Sequence, residues 1–319
     1  MSEFFGLSKS LNRTIALLGE PLLELSKHNG SYALGVAGDV LNTAVAIAMM
    51  DVRTSLVTAV GKDDASSQVV DFSRKYDVNT DLVSRDENRQ VGFYMINNDE
   101  RGERTFSYWR SDSAAKNLFS DPLLLSKKLK QLNAIDAVYF SGITLALMTP
   151  ESLTVFCDWL KNFRSANKKV IFDNNYRPAL WATSQAFLSA CERVLALTDM
   201  FLPSLDDVMS SIGIFDRDAA LEWVASMGVA ENVISDGVNP IILIQNHQRS
   251  FVNVSPALKV VDTTGAGDGF NGGYISSRLK GADPLQAIEL GMRISAEVVA
   301  HKGAILPEEI WEKISSSGC

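Results

Sequence analysis

At 319 residues, 46% hydrophobic and 21% charged, the chain is long enough to bury one large core or two small ones. A net charge of −8 argues against nucleic acid or an anionic membrane as partner, and no apolar run reaches the roughly 18 residues of a membrane span. Cys157, Cys191 and Cys319 have no metal-like spacing and are too few for a disulfide framework, which points to a reducing cytoplasm. Met1–Arg13 lacks the apolar core of a signal peptide and reads as a short extension.

In chain order, Thr14–Leu18 is an apolar strand ending in Gly19-Glu20-Pro21, and Leu22–Leu25 reads as a second. A helix over Val40–Met50 follows, apolar on nearly every side and so buried. Asp39 is placed to cap it. Asn42, one turn in, is either a satisfied core amide or a group facing a cleft. Thr54–Val60 and the helix Ser66–Tyr76 form the first clean strand–loop–helix unit. Ala137–Phe140 before the helix Ser152–Arg164, Lys169–Phe172 before an irregular stretch, and Met200–Pro203 before Asp206–Ile212 continue the rhythm. The pattern predicts an α/β fold with a largely parallel sheet and helices on both faces. Ligands in such sheets bind beyond the carboxyl ends of the strands, which gathers Gly38, Ser141-Gly142, Asp173–Pro178 and Ser204–Asp207 at one mouth. Val91–Asn97 and Arg104–Arg110, joined by a polar loop containing Arg101-Gly102, break the rhythm as a hairpin. With Leu22–Leu25 and Tyr32–Val36 they predict a small separate sheet, read as a lid over the cleft.

The densest chemical signal is Asp262-Thr263-Thr264-Gly265-Ala266-Gly267-Asp268, between the apolar-rich Phe251–Val261 and a helical run over Gly273–Leu279. Gly265, Ala266 and Gly267 let a ligand approach the backbone, and N–H groups at a helix start favour phosphate. Asp268 repels phosphate unless it has a task. The task that fits is to accept a proton from a hydroxyl attacking that phosphate. On the lid, period-2 alternation puts Phe106, Tyr108 and Arg110 on one face of the second strand and Gly92, Tyr94 and Ile96 on one face of the first, so that one lid face shows Tyr94, Tyr108 and Arg110. Two phenols and a guanidinium suit a polyhydroxy acid, since Arg captures carboxylate in a bidentate grip. Arg177, in the loop Asp173–Pro178 beside Asn175, is a second such group. His28, His247 and His301 have no partners at ligand spacing and read as surface or capping residues.

The run D-T-T-G-A-G-D-x-F resembles the signature of the ribokinase-like (PfkB) carbohydrate kinases. Within that family, residues 102–110 (G-E-R-T-F-S-Y-W-R), 172–181 (F-D-N-N-Y-R-P-A-L-W), Glu87-Asn88-Arg89 and Gly38-Asp39-x-Leu41-Asn42-Thr43 are similar to the 2-keto-3-deoxygluconate kinases, over about residues 14–307. The resemblance implies a single ribokinase-like domain over 14–319, with a β lid formed by about 20–37 and 88–112. It implies sugar-acid binding by Gly38, Tyr94, Tyr108, Arg110 and Arg177, with Asp39, Asn42 and Asn175 in the same motifs, and Asp268 as catalytic base beside Gly265, Ala266 and Gly267. ATP would be held by Ser204, Ser235, Gly237, Thr264, Gly265 and Gly267, and Mg²⁺ served by Asp207. A monovalent cation stays open. A homo-oligomer formed through the lid is the implied assembly. One departure stands out: where the family has V-x-K-x-G, this chain has Val233-Ile234-Ser235-Asp236-Gly237. Lys302 and Arg249 are candidates to restore the basic charge. A kinase for a neutral sugar such as fructose, and a non-catalytic sensor on the same fold, remain alternatives.

Overall fold

The computed structural model describes residues 12–316 apart from 29–30, 99–103, 247, 255–256 and 258. The extension to Leu11, the Arg101-Gly102 tip, His247 and Cys319 lie outside the described residues.

The first strand, β1 (Thr14–Leu18), sends Ile15 and Leu17 into one core and Ala16 and Leu18 into the other. A strand buried on both faces must be apolar throughout. β2 (Leu22–His28) and β3 (Ser31–Ala37) form an antiparallel pair, longer than the alternation alone suggested. α1 (Asp39–Ala48) is buried from Val40 to Ala48. β4 (Arg53–Val60) lies parallel to β1, α2 (Asp64–Lys75) is capped by Asp63, and β5 (Val83–Arg85) forms one sheet edge. β6 (Gly92–Asn98) and β7 (Arg104–Trp109) are the expected hairpin, with Tyr94 opposite Tyr108. β2 pairs with β6 in parallel, so the small sheet runs β3-β2-β6-β7. Leu23, Val36 and Phe93 seat its base on Val69 and Val70 of α2.

Beyond α3 (Ala114–Ser120) and α4 (Pro122–Leu129), the large sheet resumes with β8 (Ala137–Ser141), β9 (Lys169–Asp173), β10 (Met200–Phe201) and β11 (Glu231–Ile234). Between them run α5 (Gly142–Leu145), α6 (Pro150–Ser165), α7 (Ser184–Leu195), α8 (Leu205–Ile212) and α9 (Arg217–Ser226). β12 (Ile241–Gln245) and β13 (Gln248–Val252) close the far edge antiparallel, and α10 (Ala266–Leu279), α11 (Pro284–Ala300) and α12 (Glu308–Ser316) follow. The nine-stranded order is β13-β12-β11-β10-β9-β8-β1-β4-β5. The chain leaves β1 toward β4 and returns on its other side at β8, so the topological switch lies between β1 and β8. That is where an open α/β sheet forms its ligand crevice.

Two expectations need correction. The last helix of the motif begins at Ala266, not Gly273, so Asp268 sits in its first turn. Its glycines made it look non-helical, yet packing demands them: a Cβ on Gly272 would stand 2.3 Å from Ala46 Cβ of α1. The second concerns Asp39, which does not cap α1. Gly38 holds that position at φ 133°, and Asp39 is the first helical residue. α10 is also pinned from below. Glu231 on β11 accepts hydrogen bonds from Tyr274 (2.7 Å) and from Arg278 Nε and Nη2 (2.9 and 2.6 Å), all buried. Among the described residues, no helix is long and apolar enough to cross a membrane.

Candidate active site

Gly265 occupies the N-cap of α10 in the left-handed region, φ 76°. Asp262 folds the turn before it. One carboxylate oxygen accepts the Thr264 N–H (3.0 Å) and hydroxyl (2.7 Å), and the other accepts the Gly303 N–H (3.2 Å). This is an Asx-type turn, and it sets Ala266, Gly267 and Asp268 as the first three residues of the helix. The first turn of a helix carries N–H donors without intrahelical acceptors, at the positive end of its dipole. A Cβ on Gly267 would meet nothing within 4 Å, so the turn opens onto free space.

Asp268 is half-buried on the floor of this opening and accepts a 2.8 Å hydrogen bond from Asn42 Nδ2 of α1. Asn42 is therefore not merely a core amide. Burial, then the Asp39 carboxylate, push the Asp268 carboxyl up from 3.8 to about 7, against the pull of Asn42 and Arg177. The Asp39 carboxylate itself accepts from Ser141 Oγ (2.5 Å) and Asn175 Nδ2 (2.9 Å). These contacts draw it away from the cap and link β8, the 173–178 loop and α1 at the switch point. Asn175 also takes positive φ, 29°, with its N–H on Asp173 Oδ1.

Arg177 and Asp207, assigned by sequence to opposite ends of the reaction, are neighbours. Arg177 Nη1 lies 3.3 Å from both Asp207 oxygens and 2.8 Å from the Tyr176 carbonyl. Burial raises the Asp207 carboxyl and Arg177 opposes the shift. Ser204 caps α8 by accepting the Asp207 N–H at 3.1 Å, and a β-bridge sets Ser204 beside Ser235. Gly237 turns the following loop at φ 58°. Asp236, the acidic departure, is neutralised by Arg217 of α9 at 3.0 Å. Arg249 pairs with Asp218 at 3.9 Å.

On the small sheet, Tyr94 and Tyr108 stand with ring centroids 5.8 Å apart. The Tyr94 hydroxyl donates to Glu24, and burial pushes its pKa upward. Arg110, just past β7, is ion-paired with the buried Glu20. His301 follows α11 as its C-cap, its ring nitrogen Nδ1 2.8 Å from the Glu297 carbonyl. Sequence reasoning missed the roles of Glu20, Glu24, Asp173, Asp262 and Arg217. For Asp262 a signal existed, an Asp two residues before a Thr in a Gly-rich run. For Glu20, Glu24 and Arg217 it did not, because their partners lie 93, 70 and 19 residues away, whereas Asp173 accepts the Asn175 N–H only two residues on.

Residues 12–311 match the model of the pfkB family of carbohydrate kinases. The chain belongs to this family. It is 36% identical over 307 residues to a 2-dehydro-3-deoxygluconokinase of Escherichia coli K12, covering 94% of this chain and 99% of that protein. It is 38% identical to one from Dickeya dadantii, covering 93% and 98%. A crystal structure of 2-dehydro-3-deoxygluconokinase from Thermotoga maritima superposes with a TM-score of 0.79 at 24% identity, over 96% of this chain and all of that one. The fold is accordingly ribokinase-like, with a large mostly parallel sheet and a small separate one.

Proposed function

We propose that this protein transfers the γ-phosphoryl group of ATP to the 6-hydroxyl of 2-keto-3-deoxygluconate, giving 2-keto-3-deoxy-6-phosphogluconate. The observation that carries this reading is identity of 36–38% over nearly the whole chain to kinases that bear that name. In the mechanism, the α10 start donates N–H groups to the charge that develops on the transferring phosphoryl. Asp268 orients the hydroxyl and takes its proton. The transition state is loose, so little deprotonation is needed early, and positioning with electrostatics supplies most of the rate. Arg110 and Arg177, with the Tyr94 and Tyr108 hydroxyls, hold the acid end of the sugar, while Gly38, Asp39, Asn42 and Asn175 line the side nearest Asp268. Ser204, Ser235, Gly237 and Thr264 border the nucleotide.

Magnesium fits as an ion carried by the nucleotide. Among the described residues no group of three or more His, Cys, Asp or Glu could hold a metal, and Mg²⁺ commonly uses one or two carboxylates plus phosphates and waters. Asp207 is the residue that would hold it, and its chemistry there is to neutralise phosphate charge.

Substrate class is tested by replacing Arg110 with Leu and assaying ADP release. A sugar-acid kinase is expected to lose kcat/KM for 2-keto-3-deoxygluconate by about 10²-fold, as for loss of a charge-assisted bidentate contact. Unchanged kcat/KM would favour the neutral-sugar reading. With an Asp268 carboxyl near 7, kcat/KM for the sugar acid is expected to rise with pH up to about 7 and then level off. A profile flat from pH 5 to 9 would remove Asp268 as the base. The small sheet also exposes Tyr32, Leu34 and Trp109, 47–55% accessible each. These support pairing of two copies through the lid, expected as a dimer mass in analytical ultracentrifugation; a monomer at all concentrations would contradict it.

A further inference from the structure

The Arg110 guanidinium, assigned above to the substrate carboxylate, is held from beneath. Glu20, which ends the β1 turn, has no solvent-accessible side-chain surface, and its Oε2 pairs with Arg110 Nη2, whose own side chain is 12% exposed. The other oxygen, Oε1, accepts the Ser113 hydroxyl at the N-cap of α3. Glu20 thus joins the end of the first core strand to the residue that leaves the last lid strand. The backbone above makes room for this pair: a Cβ on Gly92 of β6 would lie 2.9 Å from Glu20 Oε1 and 3.2 Å from Arg110 Cβ. Below, the Glu20 carbonyl abuts Gly38, where a Cβ would stand 2.8 Å away. The pair is therefore wedged between lid and sugar-side loop. Lys116 lies near enough to feel both charges and donates to the Ala146 carbonyl at 3.2 Å.

Charge alone does not explain such an arrangement. A carboxylate beside a ligand-binding guanidinium weakens its attraction for an anion, and burying both costs desolvation. What it supplies is orientation. An Arg fork gripped at one nitrogen loses little further rotamer freedom when a second carboxylate docks on its remaining donors.

We infer that Glu20 is a positioning residue for sugar-acid recognition: it fixes Arg110 at the lid–core junction so that the substrate carboxylate meets a preset guanidinium. This rests on the sugar-acid reading above. It is tested by steady-state kinetics of the full chain with Glu20→Gln, Arg110→Gln and the double variant. Glu20→Gln is expected to raise KM for 2-keto-3-deoxygluconate at least about tenfold, with kcat and KM for ATP within about twofold. In the Arg110→Gln background it is expected to add nothing, because it acts through Arg110. An equal rise in both backgrounds, or no rise in either, overturns the inference, since a merely structural role would not depend on Arg110. Should Glu20→Gln fail to fold, Glu20→Asp, which keeps the charge but shortens the reach, carries the same comparison. Absence of acid-dependent ADP release by the wild type would instead overturn the substrate reading. A normal wild type with a raised KM in Arg110→Gln, but not in Glu20→Gln, overturns the inference alone.

Discussion

Replacing Asp268 by Asn is expected to lower kcat by about 10³-fold, the upper part of the range for losing a positioned general base. KM for ATP and the thermal unfolding profile at low pH should change little. Asn preserves the shape and can still accept from Asn42 Nδ2, which lies 2.8 Å from the carboxylate. It cannot take the proton of the attacking hydroxyl. The same variant reads the electrostatic strain at the site. Asp268 has its carboxyl raised from 3.8 to about 7 in the folded chain. Between those values the folded state binds more proton than the unfolded one, so stability falls as pH rises across that window. Below it the group is protonated in both states and costs nothing; above it the full penalty applies. Asp268→Asn is therefore expected to be the more stable protein at pH 8 and to match the wild type near pH 4. Denaturant unfolding at the two pH values measures this. A variant no more stable at pH 8, or one that keeps near-normal turnover, would contradict the assignment.

Gly265→Ala is expected to be the second most damaging single change. The position has φ 76°, where a Cβ costs about 1–2 kcal/mol in an L-residue. The Cβ would also lie 2.4 Å from Ala304 Cβ and 2.7 Å from Ala304 Cα. Backbone cannot yield as a side-chain end can, so the turn itself must move. Displacing the α10 donors by even 1 Å is worth about 10² in rate, and kcat should fall by about that factor, with a lower melting temperature. Gly267→Ala separates the two effects. A Cβ there meets nothing within 4 Å, so the melting temperature should hold. The methyl would nonetheless occupy the space the phosphates need, and KM for ATP should rise. Equal melting losses for both variants would mean that the turn is not shaped by Gly265.

The layout of the large sheet was legible in sequence because β1, β8 and β9 are largely apolar runs buried on both faces, and because β4, β8 and β10 each lead through a short connection into a helix. The Gly265–Asp268 turn was legible because small residues and one misplaced acid are rare together. The start of α10 was not: its glycines score against helix, and only the 2.3 Å approach of Gly272 to Ala46 shows why they are there. Asp39 looked like a cap because capping is local, whereas its partners Ser141 and Asn175 lie 102 and 136 residues away. Long-range pairing hid the rest of the site as well. Arg110 reads as a free guanidinium until Glu20 is seen beneath it, and Arg177 and Asp207 read as separate until they are found 3.3 Å apart. The acidic Asp236 looked like a loss of nucleotide-side charge, yet Arg217 neutralises it from a helix that no pattern connected to that loop.

The most direct measurement is coupled ADP release by the wild-type chain with Mg²⁺ and ATP, offered 2-keto-3-deoxygluconate, gluconate or fructose in separate reactions. ADP release with 2-keto-3-deoxygluconate, at a kcat/KM well above that for the other two, is the expected result. Release that is greatest with fructose, or absent with all three, would contradict it.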